Sequence, residues 1–220
     1  MVNRKPVSFN SIKSFVEDNY KLVFAAAGCC VAAGIGIYFF IEHQNRQQEH
    51  AQLAFAQTIV EVRQARKDAT GWTDVDLAAK TAYRSYKNSS LAPYFLALES
   101  QALVAQGNIN QALEPLEQAI TAMGKNSPFY FVFKIRDALN KLDNDDITVQ
   151  TTGLNELQAL AQDKTNNQRD QALYYLGEYY TNHDDAARAQ EVWRELLDLY
   201  PGTTDSDISP WAMLAHEKIQ

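Results

Sequence analysis

Four histidines, two adjacent cysteines and a few carboxylate pairs are the residues of this 220-residue chain that could do chemistry. His43 and His50 stand seven apart, which puts them on one face of a helix. A zinc site needs at least a third protein ligand, and no clear candidate accompanies them, so both read as solvent-facing. His183, Asp184 and Asp185 offer donors to a metal, but a short polar run ahead of an apolar-periodic segment is also what caps a helix, and it reads as a cap. His216 stands far from the others in sequence. Cys29 and Cys30 lie together inside an apolar run, where they read as small fillers. Residues 42–220 contain no cysteine, hence neither a disulfide framework nor a thiol nucleophile. Glu114/Glu117 and Asp184/Asp185 pair carboxylates in polar surroundings, with nothing to raise a pKa for acid–base work. G-x-S-x-G, P-loop and Gly-rich dinucleotide motifs are absent. The chain therefore reads as non-enzymatic, with no catalytic, metal-binding or cofactor-binding set and no cofactor.

The elements that would position any site begin with LVFAAAGCCVAAGIGIYFFI, residues 22–41. It carries no charge, and twenty helical residues rise by about 30 Å, the hydrocarbon thickness of a bilayer. A cleaved signal peptide has a shorter apolar region, roughly 7–15 residues, and a small-residue end, whereas this run closes on Tyr38, Phe39, Phe40 and Ile41. It reads as an uncleaved transmembrane anchor. Arg4, Lys5, Lys13 and Lys21 precede it and only Arg46 follows closely, a bias that places the amino terminus in the cytoplasm. Residues 1–21 are then a cytoplasmic tail, with Phe9, Ile12, Phe15, Val16 and Tyr20 along one side of an amphipathic helix or of the turns that lead into the span. Residues 42–220 are then periplasmic if the source is Gram-negative. Gly28, Ala32 and Gly36, four apart, form a small-residue stripe on which a second helix could dock, although alanine and glycine are common in membrane helices generally.

The net charge of -7 is unevenly placed: residues 1–41 carry +2 and residues 42–220 carry -9. An acidic body gives no electrostatic footprint for nucleic acid or anionic lipid. Within it, residues 43–68 read as one long helix in which Leu53, Ala56, Ile59, Val60 and Arg63 follow helical spacing. Helix-breaking clusters then recur at 67–74, 87–93, 106–111, 124–128, 143–146, 164–168, 182–185 and 200–207. Period-two alternation is nearly absent, so the body is expected to be all-α. Four segments share a small residue followed four later by a large one and three later again by another: Ala79/Tyr83/Tyr86, Ala112/Leu116/Ala119, Gly153/Leu157/Leu160 and Ala189/Trp193/Leu196. That spacing places each set on one helix face. The sets recur after 33, 41 and 36 residues, the period of a two-helix repeat in which each hairpin buries its face against the next.

The segment LYYLGEYYTNHDDAARAQEVWRELLDLYP resembles a tetratricopeptide repeat, with Leu176, Gly177, Tyr180, Ala189, Trp193 and Pro201 at the family's spacing. Its two helices are expected over about 168–181 and 185–199. YFLALESQALVAQGNINQALEPLEQAI resembles a second copy through Leu96, Leu103, Gly107, Ala112, Leu116 and Ala119, with Ser100 where the glycine is expected. The copies around 46–87 and 128–162 are degenerate. The expected fold is all-α: one N-terminal transmembrane helix followed by an α-solenoid of tetratricopeptide-like hairpins. In order and architecture, the apolar span, the polar stretch EHQNRQQEHAQLAFAQTIV and the repeats after it resemble the YfgM-type ancillary subunits of the bacterial SecYEG translocon.

That resemblance implies an inner-membrane protein assisting export by chaperone-like or adaptor binding of emerging chains. The SecYEG channel and a PpiD-like periplasmic chaperone would be its partners. A structural scaffold subunit of another envelope complex is the competing reading. By the repeat family's geometry, the first helix of each hairpin lines a concave groove, which points Tyr94, Gln101, Tyr174 and Glu178 toward a partner. The dense aromatics FYFVF (129–133) and YYLGEYY (174–180) serve either that groove or packing between repeats. A basic clamp for chain-terminal carboxylates is not expected, because Ala97 and Gln101 are uncharged where it would need lysine or asparagine.

Overall fold

The computed structural model describes residues 20–68, 70–200 and 209–219; of residues 20–37, 39 and 40 it describes the backbone alone. The described residues form α1 Tyr20–Asp68, α2 Trp72–Ser85, α3 Ala92–Ala105, α4 Ile109–Met123, α5 Tyr130–Leu142, α6 Ile147–Gln162, α7 Arg169–Asn182, α8 Ala186–Asp198 and α9 Pro210–Ile219. Every described break falls on a polar cluster that interrupts the apolar periodicity. Several are closed by the chemistry of those clusters. Asp146 accepts from the Thr148 amide at 2.7 Å and Asp185 from the Arg188 amide at 3.0 Å, capping α6 and α8. The His183–Asp184–Asp185 run is thus a helix cap, and Asp184, at φ 58°, takes the left-handed turn between α7 and α8.

The chain divides into two units, Met1–His50 and Ala51–Gln220. In the first, the apolar run 22–41 falls on α1. Only Tyr38 and Ile41 of its side chains are described, and both are exposed. The rest of the run, with the Gly28/Ala32/Gly36 stripe, lies outside the described side chains, as residues 1–19 of the tail lie outside the described residues altogether. Among the described residues no helix is long and apolar enough to cross a membrane. Just beyond the run, Arg46 donates to Glu42 at 2.9 Å across one exposed turn.

In the second unit, consecutive helices pack one on the next from α2 to α9, and α9 also packs on α7. Contacts between neighbours along the chain are what a solenoid of hairpins requires. The small-to-large sets form the seams. Ala112/Leu116/Ala119, Gly153/Leu157/Leu160 and Ala189/Trp193/Leu196 are all buried. In the first set Ala79 is buried, whereas Tyr83 and Tyr86 are half-buried at the edge, Tyr83 lying against the Leu96–Leu116 cluster. The small residues allow close crossing: a Cβ on Gly153 would lie 2.7 Å from the Ala138 carbonyl oxygen of α5.

Of the apolar positions at helical spacing in α1, Ile59 packs inward, but Leu53 and Val60 are each 64 % exposed. The buried positions are Ala51, Thr58, Val62 and Ala65. The facing surface explains the choice. Val62 and Ala65 meet Val75 and Ala79 of α2 and Leu98 and Ala102 of α3, and small side chains let these backbones come together.

Candidate partner groove

Of the first helices of the hairpins, α7 contacts the last helix α9, and side chains of α1, α3 and α5 form two rows. The first is aromatic. The Tyr94 ring of α3 lies edge-on to Phe55 of α1 at 6.2 Å, to Phe129 at the start of α5 at 5.8 Å, and to Phe133 at 6.3 Å. Edge-to-face rings at such separations attract through their quadrupoles. Phe129 keeps 47 % of its surface exposed, so the row is open to solvent at that ring.

The second row is polar and lies nearer the carboxyl ends of the same helices. Gln101 of α3 accepts from the Arg136 guanidinium of α5 at 3.5 Å, at the outer limit for a hydrogen bond. Arg136 is half-buried, and burial draws its pKa below the ordinary arginine range, with the positive charge of Arg66 of α1 adding to the effect and Tyr175 of α7 opposing it. Among the described residues neither Arg66 nor Arg136 has a carboxylate partner.

Tyr174 and Glu178 of α7 are placed differently. The Tyr174 ring packs on Tyr175 at 5.7 Å and on Trp211 of α9 at 5.4 Å, and Glu178 pairs with Lys218 of α9 at 2.8 Å. Burial, then the Glu178 charge, raises the Tyr174 hydroxyl pKa. The four residues expected in the groove therefore do not form one patch. Tyr94 and Gln101 belong to the α1–α3–α5 face, whereas Tyr174 and Glu178 hold α9 against α7. Phe129, from the dense FYFVF run, completes the first face together with Arg66 and Arg136, which no sequence pattern singles out. The signal for Arg136 is composition, not pattern: it is an arginine in the apolar segment FYFVFKIRDAL, where a helix packed on all sides would carry none.

The other buried charges are structural. Lys141 of α5 reaches Asp137 and Glu156 of α6 at 2.8 Å each, and so ties one hairpin. Burial raises the Asp137 pKa despite the lysine beside it. Arg169 pairs with Glu195 and Arg188 with Asp185. His43 and His50 are exposed, and His183 stacks on Tyr179 with ring centroids 4.0 Å apart. Among the described residues no group of histidine, cysteine, aspartate or glutamate side chains could hold a metal ion.

No protein-family profile matches the chain. No curated protein matches it either. Solved structures do. A kinesin-light-chain-like protein of Podosopora anserina, built from nearly identical TPR-like repeats, superposes with a TM-score of 0.54 at 15 % identity, over 81 % of this chain and 85 % of that one. BtubC (BKLC) from P. vanneervenii superposes with a TM-score of 0.54 at 17 % identity, over 81 % of this chain and 80 % of that one. At such identities the likeness shows the fold alone: the body is a TPR-like helical repeat.

Proposed function

We propose that the chain is a non-enzymatic, membrane-anchored adaptor whose repeat domain holds other polypeptides by the open face of α1, α3 and α5. The observation that carries this reading is the pair of rows on a TPR-like fold: aromatics open to solvent at Phe129, on the same helices as guanidiniums that no carboxylate of the described residues satisfies. TPR-like repeats suit protein–protein interaction, and the face offers nothing to a small-molecule reaction. The apolar run 22–41 supports an anchor, with the lysine and arginine bias giving a cytoplasmic tail and a periplasmic domain. The resemblance to YfgM-type subunits supports a place at SecYEG, alongside a PpiD-like chaperone, with exported chains as clients. Tethering would raise the local concentration of a weak binding surface to about millimolar, so modest contacts to emerging chains would suffice.

Affinity purification from mild detergent, with identification of co-purifying membrane proteins, tests the reading. Translocon components and a periplasmic chaperone are the expected partners, and the domain should slow aggregation of an unfolded client. Recovery of a different envelope complex, with no effect on aggregation, would favour a structural scaffold instead. Replacing Gly28, Ala32 and Gly36 together by leucine keeps the run apolar but fills the stripe. Reduced partner recovery at equal membrane insertion is expected, and unchanged recovery would make the span a passive tether.

A further inference from the structure

Three of the domain's partly buried cations are paired with its own carboxylates: Lys80 with Asp76, Lys141 with Asp137 and Glu156, and Arg169 with Glu195. Arg136, like Lys134 two residues before it, has no such partner among the described residues. It is half-buried in a body of net charge -9, yet its described hydrogen bond is the long one to the Gln101 amide, and its charged neighbour is another arginine. A half-buried guanidinium whose hydrogen bond goes to a neutral amide leaves room for a carboxylate from outside. An arginine fork takes a carboxylate in a bidentate bond, stronger than its present contact with a neutral amide.

We propose that Arg66, Gln101 and Arg136 bind the acidic side chains of an extended peptide segment, while the Phe55–Tyr94–Phe129 row takes a large apolar residue of the same segment. The assignment deepens the adaptor reading and rests on it. Both rows cross the same three helices, α1, α3 and α5, so a chain laid along them meets successive helices. Same-face side chains of an extended chain recur about every 7 Å, so one chain can present two acidic residues along the polar row. A single chain-terminal carboxylate would neutralise only half of that charge. The net negative charge of the domain disfavours acidic segments over much of its surface, which favours this face for them.

The test uses the full chain in mild detergent and fluorescence anisotropy with three labelled decapeptides. The first is blocked at both ends and carries two aspartates beside a phenylalanine. The second replaces the aspartates by asparagine. The third is the asparagine peptide with a free C-terminal carboxylate. The first should bind at least about tenfold more tightly than the other two, the worth of a charge-assisted bond. Arg136→Gln and Arg66→Gln should each bring it toward the asparagine level, with melting temperature unchanged for the exposed Arg66 variant. Equal binding of the asparagine peptide, or unchanged affinity in both variants, would overturn the site. Tightest binding of the third peptide would overturn it in favour of a terminal-carboxylate site. Co-purification of membrane partners with Arg136→Gln judges the adaptor reading separately. If partners are recovered while the peptides show no charge preference, the adaptor reading stands and the acidic-segment site falls.

Discussion

The packing of Gly177 under Trp193 makes the sharpest test of the repeat assignment. A Cβ at Gly177 would lie 2.5 Å from the indole Cδ1 and 2.6 Å from Cε2, and nearer still to Nε1. Ordinary carbon contacts need about 3.5 Å, so the ring would have to retreat by roughly 1 Å. Trp193 is buried with Ala189 and Leu196 in one cluster and has little room to move. Overpacking of this kind costs about 1–3 kcal/mol, against about 1 kcal/mol that Gly→Ala gains in helix propensity. Gly177→Ala should therefore lose stability where an open helix would gain it, by up to about 2 kcal/mol net. For a unit of this size that lowers the melting temperature by roughly 2–8 °C. The indole N–H has no hydrogen-bond partner, so Trp193→Phe forfeits no bond while it removes the edge that the new Cβ would strike. In a double-mutant cycle followed by circular dichroism at 222 nm, Trp193→Phe should relieve most of the Gly177→Ala penalty. A Gly177→Ala protein as stable as the parent, or a double mutant in which the two losses simply add, would refute the contact.

At Gly153 the obstacle is backbone, the Ala138 oxygen at 2.7 Å and the Leu142 nitrogen at 3.0 Å, so Gly153→Ala should lower the melting temperature more than Gly107→Ala, which meets open space and costs only its positive φ, about 1 kcal/mol. Burial raises Asp137 above its unfolded value, so its contribution is fully present at low pH and is lost as pH rises through the folded value; the melting temperature of Asp137→Asn relative to the parent should therefore rise as pH is raised above about 4. Asp146 and Asp185 have the opposite sign, held low by the amides that they cap, so Asp185→Ala should destabilise at neutral pH and cease to do so as pH falls through the depressed value. Protease added to spheroplasts should digest residues 42–220 and spare the tail; a body intact until lysis would reverse the orientation.

The sequence carries the repeat architecture because close helix crossings need particular residue types. Ala112, Gly153 and Ala189 lie where a larger side chain would hold two helices apart, and their recurrence is readable without coordinates. Helix ends were legible for the same reason: Asp146, Asp185 and the left-handed Gly71, Gly107 and Gly124 do at the breaks what few other residues can. The buried face of α1 was not. Leu53, Val60, Phe55 and Val62 form two interleaved apolar stripes, and the side that turns inward depends on the alanines of α2 and α3 that receive it. Burial there is a property of the pair of surfaces, which periodicity in one of them does not contain.

The groove was half legible for a related reason. Knowing that the first helix of a hairpin lines a concave face singles out Tyr94 and Gln101, which do lie on the α1–α3–α5 face, but it treats every repeat alike. In a chain of hairpins the last one is different, because α9 takes the place of the next first helix. Trp211 and Lys218 then do for Tyr174 and Glu178 what Phe133 and Arg136 do for Tyr94 and Gln101: ring on ring, and a cation on a side-chain oxygen. The two junctions use the same positions and differ in one exchange. Where α7 presents a carboxylate, the cation of α9 is satisfied and the junction is closed. Where α3 presents an uncharged amide, the cation of α5 keeps its charge for something else. The neutral residue at 101 that excluded a basic clamp in the sequence is, in the structure, what leaves Arg136 available.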